Sequence, residues 1–185
     1  KDANLTTPNP VDLQTILFDM NLKKTKLVSI EASSHGLEQS RLHGVEVDVA
    51  ILTSFSQDHL DYHKNMKDYA RAKMKLLTEL DPRITIINTN NLFDTELGGE
   101  IKSWCKVTDA KVITVGELNS LNENQIANAI KAYYELSLTQ EGNIQVGLLC
   151  DDGFPEGLPK ERNFILKTVS KSLASDVVCA IVALL

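Results

Sequence analysis

Leu27-Val28-Ser29-Ile30-Glu31-Ala32-Ser33-Ser34-His35-Gly36 sets an apolar run against a polar turn. The figure returns when Val47-Asp48-Val49-Ala50-Ile51-Leu52-Thr53 is followed by Asp58-His59-Leu60-Asp61-Tyr62-His63 and then Lys73. Both apolar runs carry the β-branched residues that fill a strand buried on two faces, and this predicts parallel strands over Lys26 to Glu31 and Asp48 to Thr53. Acid, imidazole and amine groups gathered where such strands end mark the ligand side of an open α/β sheet.

The order of elements outward from that stretch supports the same class. Pro8 and Pro10 punctuate the start, and Val11, Leu13, Ile16, Leu17 and Met20 then recur at helical spacing, predicting a helix from about Pro10 to Asn21. Gly36 to Leu42 reads as a loop or short helical turn. A helix over Lys67 to Leu80, a strand over Ile84 to Asn88, a helix near Leu92 to Trp104 and a strand over Lys111 to Val115 follow. Strand and helix alternating in this way build right-handed crossovers around a parallel sheet. After Gly116 the pattern changes: Asn122 to Ile130 suits a short helix, while Tyr133 to Leu138 and Ile144 to Leu149 alternate at period two around Thr139–Asn143, a hairpin. A strand near Asn163 to Val169 and a helix from about Leu173 close the chain. The expected fold is α/β, a mostly parallel sheet flanked by helices with an antiparallel hairpin appendage.

Composition narrows the partners. Against 25 Asp+Glu the chain has 19 Lys+Arg, a net charge of −6, which argues against nucleic acid or an anionic membrane as the main partner. A phosphorylated substrate therefore calls for local cations or a metal. No apolar run approaches the roughly 18 residues that span a bilayer. Cys105, Cys150 and Cys179 are scattered and odd in number, which reads as reduced structural thiols of a cytosolic protein. The chain opens on Lys1 without an initiator Met and stops at Leu185 inside an apolar run, and it reads as a piece of a larger protein.

Three groups carry candidate chemistry. Glu31 ends a predicted buried strand, where a carboxylate needs a cation or several donors; the alternative is a strand-end side chain facing water. Asp58, His59, Asp61 and His63 are dense in ligand types. His59 and His63 are spaced for one face of a helix, so a zinc site and a metal-dependent hydrolase are open readings, as is a solvated loop with incidental histidines. The oxygen-rich surroundings favour a hard cation such as magnesium with one imidazole. Lys73 falls in the stripe of Met66, Tyr69, Ala70, Leu76, Leu77 and Leu80, so its amine points toward the packed side of its helix. Burial favours the neutral amine, which reacts with carbon dioxide to give a carbamate and so turns a cation into a metal-binding anion. The alternative is a lysine that snorkels past the core edge.

Several motifs together resemble the central domain of the Mur ligase family, in its MurE-type branch. They are Thr6-Thr7-Pro8 with Asp12-Leu13-Gln14, Glu31-Ala32-Ser33-Ser34-His35-Gly36-Leu37 with Gln39 and Arg41, Asp58-His59-Leu60-Asp61-Tyr62-His63, and Tyr69-Ala70-Arg71-Ala72-Lys73. The likeness runs from residue 6 to about 90 and is one of general layout beyond. It implies a P-loop-type topology and an ATP-dependent amide-bond ligase of peptidoglycan synthesis. Such an enzyme adds the third amino acid to UDP-N-acetylmuramoyl-L-alanyl-D-glutamate through an acyl phosphate. By resemblance, Glu31, His59 and a carbamylated Lys73 would hold magnesium, Thr6, Thr7, Ser33, Gln39 and Arg41 would hold the UDP-N-acetylmuramoyl-dipeptide, and Asn88 would lie on the ATP side. The cell compartment implied is the cytoplasm.

The chain departs from the family pattern at Ser54, at Asn90 and Asn91, and at Ser170, Leu173 and Asp176, all on the nucleotide side. A non-catalytic relative that binds a cell-wall precursor is therefore a rival reading, and folylpolyglutamate synthetase shares the general pattern. No Gly-x-x-x-x-Gly-Lys-Ser/Thr segment occurs; Gly98-Gly99 is followed by Glu100. Residues 1–185 are thus expected to be a partial central (ATPase) domain, lacking its first strand and phosphate loop, a UDP-binding domain and a C-terminal domain, and inactive alone.

Overall fold

The computed structural model describes residues 5–56, 62–90, 92–93, 95–118, 126, 128–141, 143–151, 161–167 and 170–184. The chain divides into two compact units, Lys1–Val47 with Gln57–Asp81 and Asp48–Ser56 with Pro82–Leu185.

The first unit holds three helices. α1 (Pro10–Leu22) starts where Asn9 accepts a hydrogen bond from the Asp12 backbone N–H at 3.0 Å and Pro10 takes the first helical position, whose N–H would otherwise be unpaired. Its buried stripe is narrower than the periodicity predicts: Leu13 is buried and Leu17 and Met20 are half-buried, whereas Val11 and Ile16 are exposed. Leu13, Leu17 and Met20 follow the i, i+4, i+7 spacing of one face, and Val11 falls on the other side. α2 (Ser34–Glu38) is a single short turn capped by Ser33. α3 (Met66–Thr78) is capped by Asn65, whose side chain accepts from the Asp68 N–H at 3.0 Å, and it buries Tyr69, Ala70, Ala72, Met74, Leu76 and Leu77. Lys73 stands half-buried between Tyr69 and Leu77, on the stripe where its spacing put it.

Lys26 to Glu31 forms no strand. The segment bends at Lys26 and has no regular secondary structure after it, outside any sheet ladder among the described residues, with Leu27 and Val28 exposed and the Glu31 side chain open to solvent. β-Branched composition shows that a run fits a pleated surface, but only a neighbouring backbone makes it a strand.

The second unit is one six-stranded sheet in the order β1-β2-β3-β4-β5-β6. β1 (Val49–Leu52), β2 (Ile84–Asn88), β3 (Lys111–Glu117) and β4 (Ile130–Leu138) are parallel in turn, while β5 (Ile144–Cys150) and β6 (Glu161–Leu166) run antiparallel. The expected hairpin is thus present and continues the parallel sheet. The expected helix over Asn122 to Ile130 lies mostly outside the described residues, and Ile130 itself opens β4.

α4 (Glu96–Trp104) begins later than periodicity suggests, because Leu92 and Phe93 form a turn and Thr95 caps the helix. α5 (Lys171–Leu184) lays Ala174, Val178 and Val182, with Ser175 and Cys179 beside them, against the sheet. Facing them are Ile86, Val115, Tyr134, Val146 and Leu148. Each fully buried valine there contributes about 1.5–3 kcal/mol by leaving water. Burial pushes the Cys179 thiol up to about 12, so it stays a protonated packing group, as the scattered cysteines suggested. Among the described residues, no helix is long and apolar enough to cross a membrane.

Two positions in this sheet hold a buried polar atom without a hydrogen-bond partner among the described residues, Thr85 Oγ1 on β2 and Arg162 Nε on β6. Thr85 is fully buried. Thr85→Val replaces the hydroxyl with a methyl of similar shape and removes an unrewarded desolvation, so stability should rise by about 1 kcal/mol. A higher midpoint in urea at unchanged slope is the expected reading.

Candidate functional site

Thr7 organises the first unit's polar cluster. The residue is fully buried, and its hydroxyl donates to the Glu31 carbonyl at 2.7 Å. A hydroxyl has one proton to give. The 2.9 Å contact between Thr7 Oγ1 and Ser33 Oγ must therefore run from the Ser33 hydroxyl to Thr7, and Thr7 Oγ1 also accepts from the Ser33 backbone N–H at 2.9 Å. Ser33 Oγ in turn accepts from the Gly36 N–H at 3.1 Å, the cap that starts α2. Gly36 is required here by space: a Cβ on it would stand 2.8 Å from both Cβ and Oγ1 of Thr7.

Arg41 closes the cluster from the far side of α2. Its Nη1 donates to the Thr7 carbonyl at 2.8 Å, while Nε and Nη2 fork onto Gln39 Oε1 at 2.9 and 2.6 Å. Three of the five guanidinium N–H groups are thereby used within the described residues. The Gln39 amide passes the chain of bonds on, donating from Nε2 to the Tyr62 hydroxyl at 3.2 Å.

Of the residues singled out in the sequence, Thr7, Ser33, Gln39 and Arg41 are brought into one bonded group. Thr6 is exposed beside them. Glu31 is tied in through its backbone carbonyl; its carboxylate is exposed and makes no side-chain bond among the described residues. The strand-end reading of Glu31 as buried is corrected accordingly, since no ladder encloses it. His59, with Asp58 and Asp61, lies outside the described residues. The ammonium of Lys73 sits 5.4 Å from the Tyr69 ring centroid. His63, the other half of the histidine pair, is buried with Nε2 3.0 Å from Ser34 Oγ. No group of three or more metal-ligating side chains occurs among the described residues.

Tyr62 and Tyr69 had no role in the sequence reading. Tyr62 was marked by its place in the Asp58–His63 motif, and Tyr69 by its places in the apolar stripe and in the Tyr69–Lys73 motif. Tyr62 enters the site through ring contacts to His35 and His63, and Tyr69 through its contact to His63, which no spacing along one helix reveals.

Asn88 belongs to the second unit and is turned inward. Asn88 Nδ2 donates to Ser175 Oγ at 2.7 Å, and Asn88 Oδ1 accepts from the Asn90 N–H at 3.1 Å. The Tyr134 hydroxyl donates to Ser175 at 2.9 Å, the Asn90 amide donates to Tyr134, and Asn90 Oδ1 accepts from the Glu117 N–H at 3.2 Å. Burial pushes the Tyr134 phenol up, opposed by its bonds to Ser175 and Asn90, so it remains a neutral donor. This closed network joins the ends of β2 and β3 to β4 and α5.

A mostly parallel sheet in one unit, and in the other a cluster of hydroxyl, amide and guanidinium groups followed by a half-buried helical lysine, define an α/β protein. The chain belongs to the Mur ligase middle domain family, whose model matches residues 1–150. Among curated relatives it is similar to the "UDP-N-acetylmuramoyl-L-alanyl-D-glutamate--2,6-diaminopimelate ligase" of Pseudomonas syringae pv. tomato, 40% identical over 115 residues, covering 62% of this chain and 22% of the relative. The ligase of the same name from Haemophilus influenzae strain PittEE is 37% identical over 134 residues, 72% of this chain and 26% of the relative. That from Neisseria meningitidis serogroup A is 40% identical over 105 residues, 57% of this chain and 21% of the relative. The chain thus matches about a quarter or less of the length of each of these relatives.

Proposed function

We propose that this chain is the central part of a cytoplasmic, ATP-dependent ligase that joins an amino acid to UDP-N-acetylmuramoyl-L-alanyl-D-glutamate in peptidoglycan synthesis. The observation that carries the reading is the bonded group of Thr7, Ser33, Gln39 and Arg41, four residues of two motifs drawn into one place. Within it the roles divide by exposure. Buried Thr7 frames the turn, while Thr6, Ser33, Gln39 and the two uncommitted N–H groups of Arg41 face the precursor.

Glu31, His59 and a carbamylated Lys73 are the residues that would hold magnesium. The donor chemistry fits: an exposed carboxylate on a backbone pinned by Thr7 and a carbamate on a helical lysine are hard oxygen ligands, with a single imidazole. When bound, such an ion neutralises the charge that gathers on the phosphates and the acyl phosphate. On the nucleotide side, Asn88 acts from within the sheet, holding Ser175 and the Asn90 backbone rather than reaching outward.

The relatives named above are diaminopimelate ligases by name, and diaminopimelate is the amino acid to try first. In the full-length protein, release of ADP should require both UDP-N-acetylmuramoyl-L-alanyl-D-glutamate and the amino acid, and Arg41→Ala should raise the KM for the precursor. ADP release that ignores the precursor overturns the reading in favour of a different reaction. Precursor binding without any ADP release points instead to a non-catalytic relative.

A further inference from the structure

His63 is the buried group that the proposed chemistry leaves without work. It is 4% exposed, and an imidazole withdrawn from water needs polar partners. Its Nε2 lies 3.0 Å from Ser34 Oγ, on the first residue of α2. Around the ring, the His35 centroid stands at 5.6 Å, Tyr62 at 5.0 Å in an edge-on arrangement, and Tyr69 at 5.2 Å.

Those neighbours reach both halves of the site. Tyr69 is on α3, and one turn later Lys73 holds its amine 5.4 Å from the Tyr69 centroid, inside the roughly 6 Å over which a ring face attracts a cation. On the opposite side, Tyr62 stacks at 4.0 Å on His35 and accepts a hydrogen bond from Gln39, which carries Arg41. The rings thus form a row from the Gln39–Arg41 pair to the Lys73 amine, with His63 at its centre.

We propose that His63 is a positioning residue for Lys73: bonded to α2 through Ser34 and packed on Tyr69 of α3, it fixes where the lysine amine stands relative to Gln39 and Arg41. A lysine stem has four rotatable bonds and about 2 kcal/mol of rotamer entropy, so a defined amine position needs a wall that is itself held. Tyr69 is that wall, and His63 holds it. α2 is one short turn with little stability of its own. α2 and α3 also pack against each other and share the Lys75–Glu38 ion pair at 3.3 Å, which is partly exposed and of a kind worth little. The buried imidazole–hydroxyl contact is the stronger polar join. For its functional meaning the inference rests on the proposed role of Lys73, but its geometry is testable apart from it.

The full chain labelled with 13C-lysine is observed by NMR, with the Lys73 ε-methylene signal identified by its loss in Lys73→Arg. In the parent chain the Tyr69 ring current should place that signal upfield of the other lysines. Ser34→Ala, which alters neither Lys73 nor any ring and removes only the hydroxyl that His63 Nε2 meets, should return it most of the way to the exposed lysines, and Ser34→Thr, which keeps the hydroxyl, should retain the displacement. His63→Phe fills the space without Nε2 and should act like Ser34→Ala, with thermal unfolding showing each variant folded. No upfield signal in the parent, or one unmoved in both Ser34→Ala and His63→Phe, overturns the proposal. A second reading under 13C-carbon dioxide separates the two ideas. Displacements as expected with no carbamate resonance on Lys73 uphold the positioning and sink the modified lysine; a carbamate with no displacement does the reverse.

Discussion

On the proposed function, the full-length protein carrying Lys73→Ala is expected to lose about 10²–10³-fold in kcat, the cost of removing one pre-placed group that stabilises transition-state charge. On the proposed reading, the Lys73 ammonium would first give one proton to solvent; the neutral amine would then attack the carbon of carbon dioxide, opening one C–O π bond as the N–C bond forms, and lose a second proton, so that a cationic side chain becomes an anion. Intact mass under gentle conditions should show the parent heavier by one carbon dioxide and the variant without it. Lys73→Arg should be as inactive as Lys73→Ala, because a guanidinium keeps the positive charge and does not carbamylate. Acetate added to Lys73→Ala should return part of the lost rate by supplying a carboxylate to the vacated space. An adduct that persists in Lys73→Ala, or full activity in Lys73→Arg, removes the lysine from the chemistry.

Gly98→Ala should destabilise the protein by about 3 kcal/mol, the upper end of what overpacking costs. A Cβ at Gly98 would stand 2.5 Å from the Leu92 carbonyl oxygen and 2.5 Å from Phe93 Cα. Both are backbone atoms, which have no rotamer in which to yield. Gly99 is the matched control: the next residue of the same helix meets nothing within 4 Å, so Gly99→Ala should stabilise α4 by up to about 1 kcal/mol through helix propensity alone. Opposite shifts in the urea midpoint for the two neighbours are the expected result, and equal shifts would show that helix propensity governs both. The pair also explains the Gly98-Gly99 doublet, which sits inside α4 and serves the close approach of the turn before it.

Much of the architecture was readable in advance, and the reason differs by element. Ile84 to Asn88 and the hairpin strands show their nature in apolar content and period two; α1, α3 and α5 show theirs in 3.6-residue spacing. Lys26 to Glu31 has the composition of a strand and no ladder, because composition does not provide a partner. The start of α4 was misread by several residues because Leu92 continues its apolar pattern, while the capping hydroxyl of Thr95 and the turn before it decide where the helix begins.

For the candidate site, motifs and spacing picked out Thr7, Ser33, Gln39, Arg41 and Lys73 and set Lys73 on the packed side of α3. The placing of Lys73 follows from helical period, which the sequence carries in itself, while Thr7, Ser33, Gln39 and Arg41 were marked by the resemblance to the Mur ligase motifs. Sequence alone did not tell that Thr7 would be buried as a brace, that Arg41 would grip its carbonyl across 34 positions, or that His63 would turn inward to Ser34 across 29. Those meetings depend on which backbone comes alongside which, and only the folded chain decides that, because a hydrogen bond between distant residues has no local signature until packing has brought its donor and acceptor together.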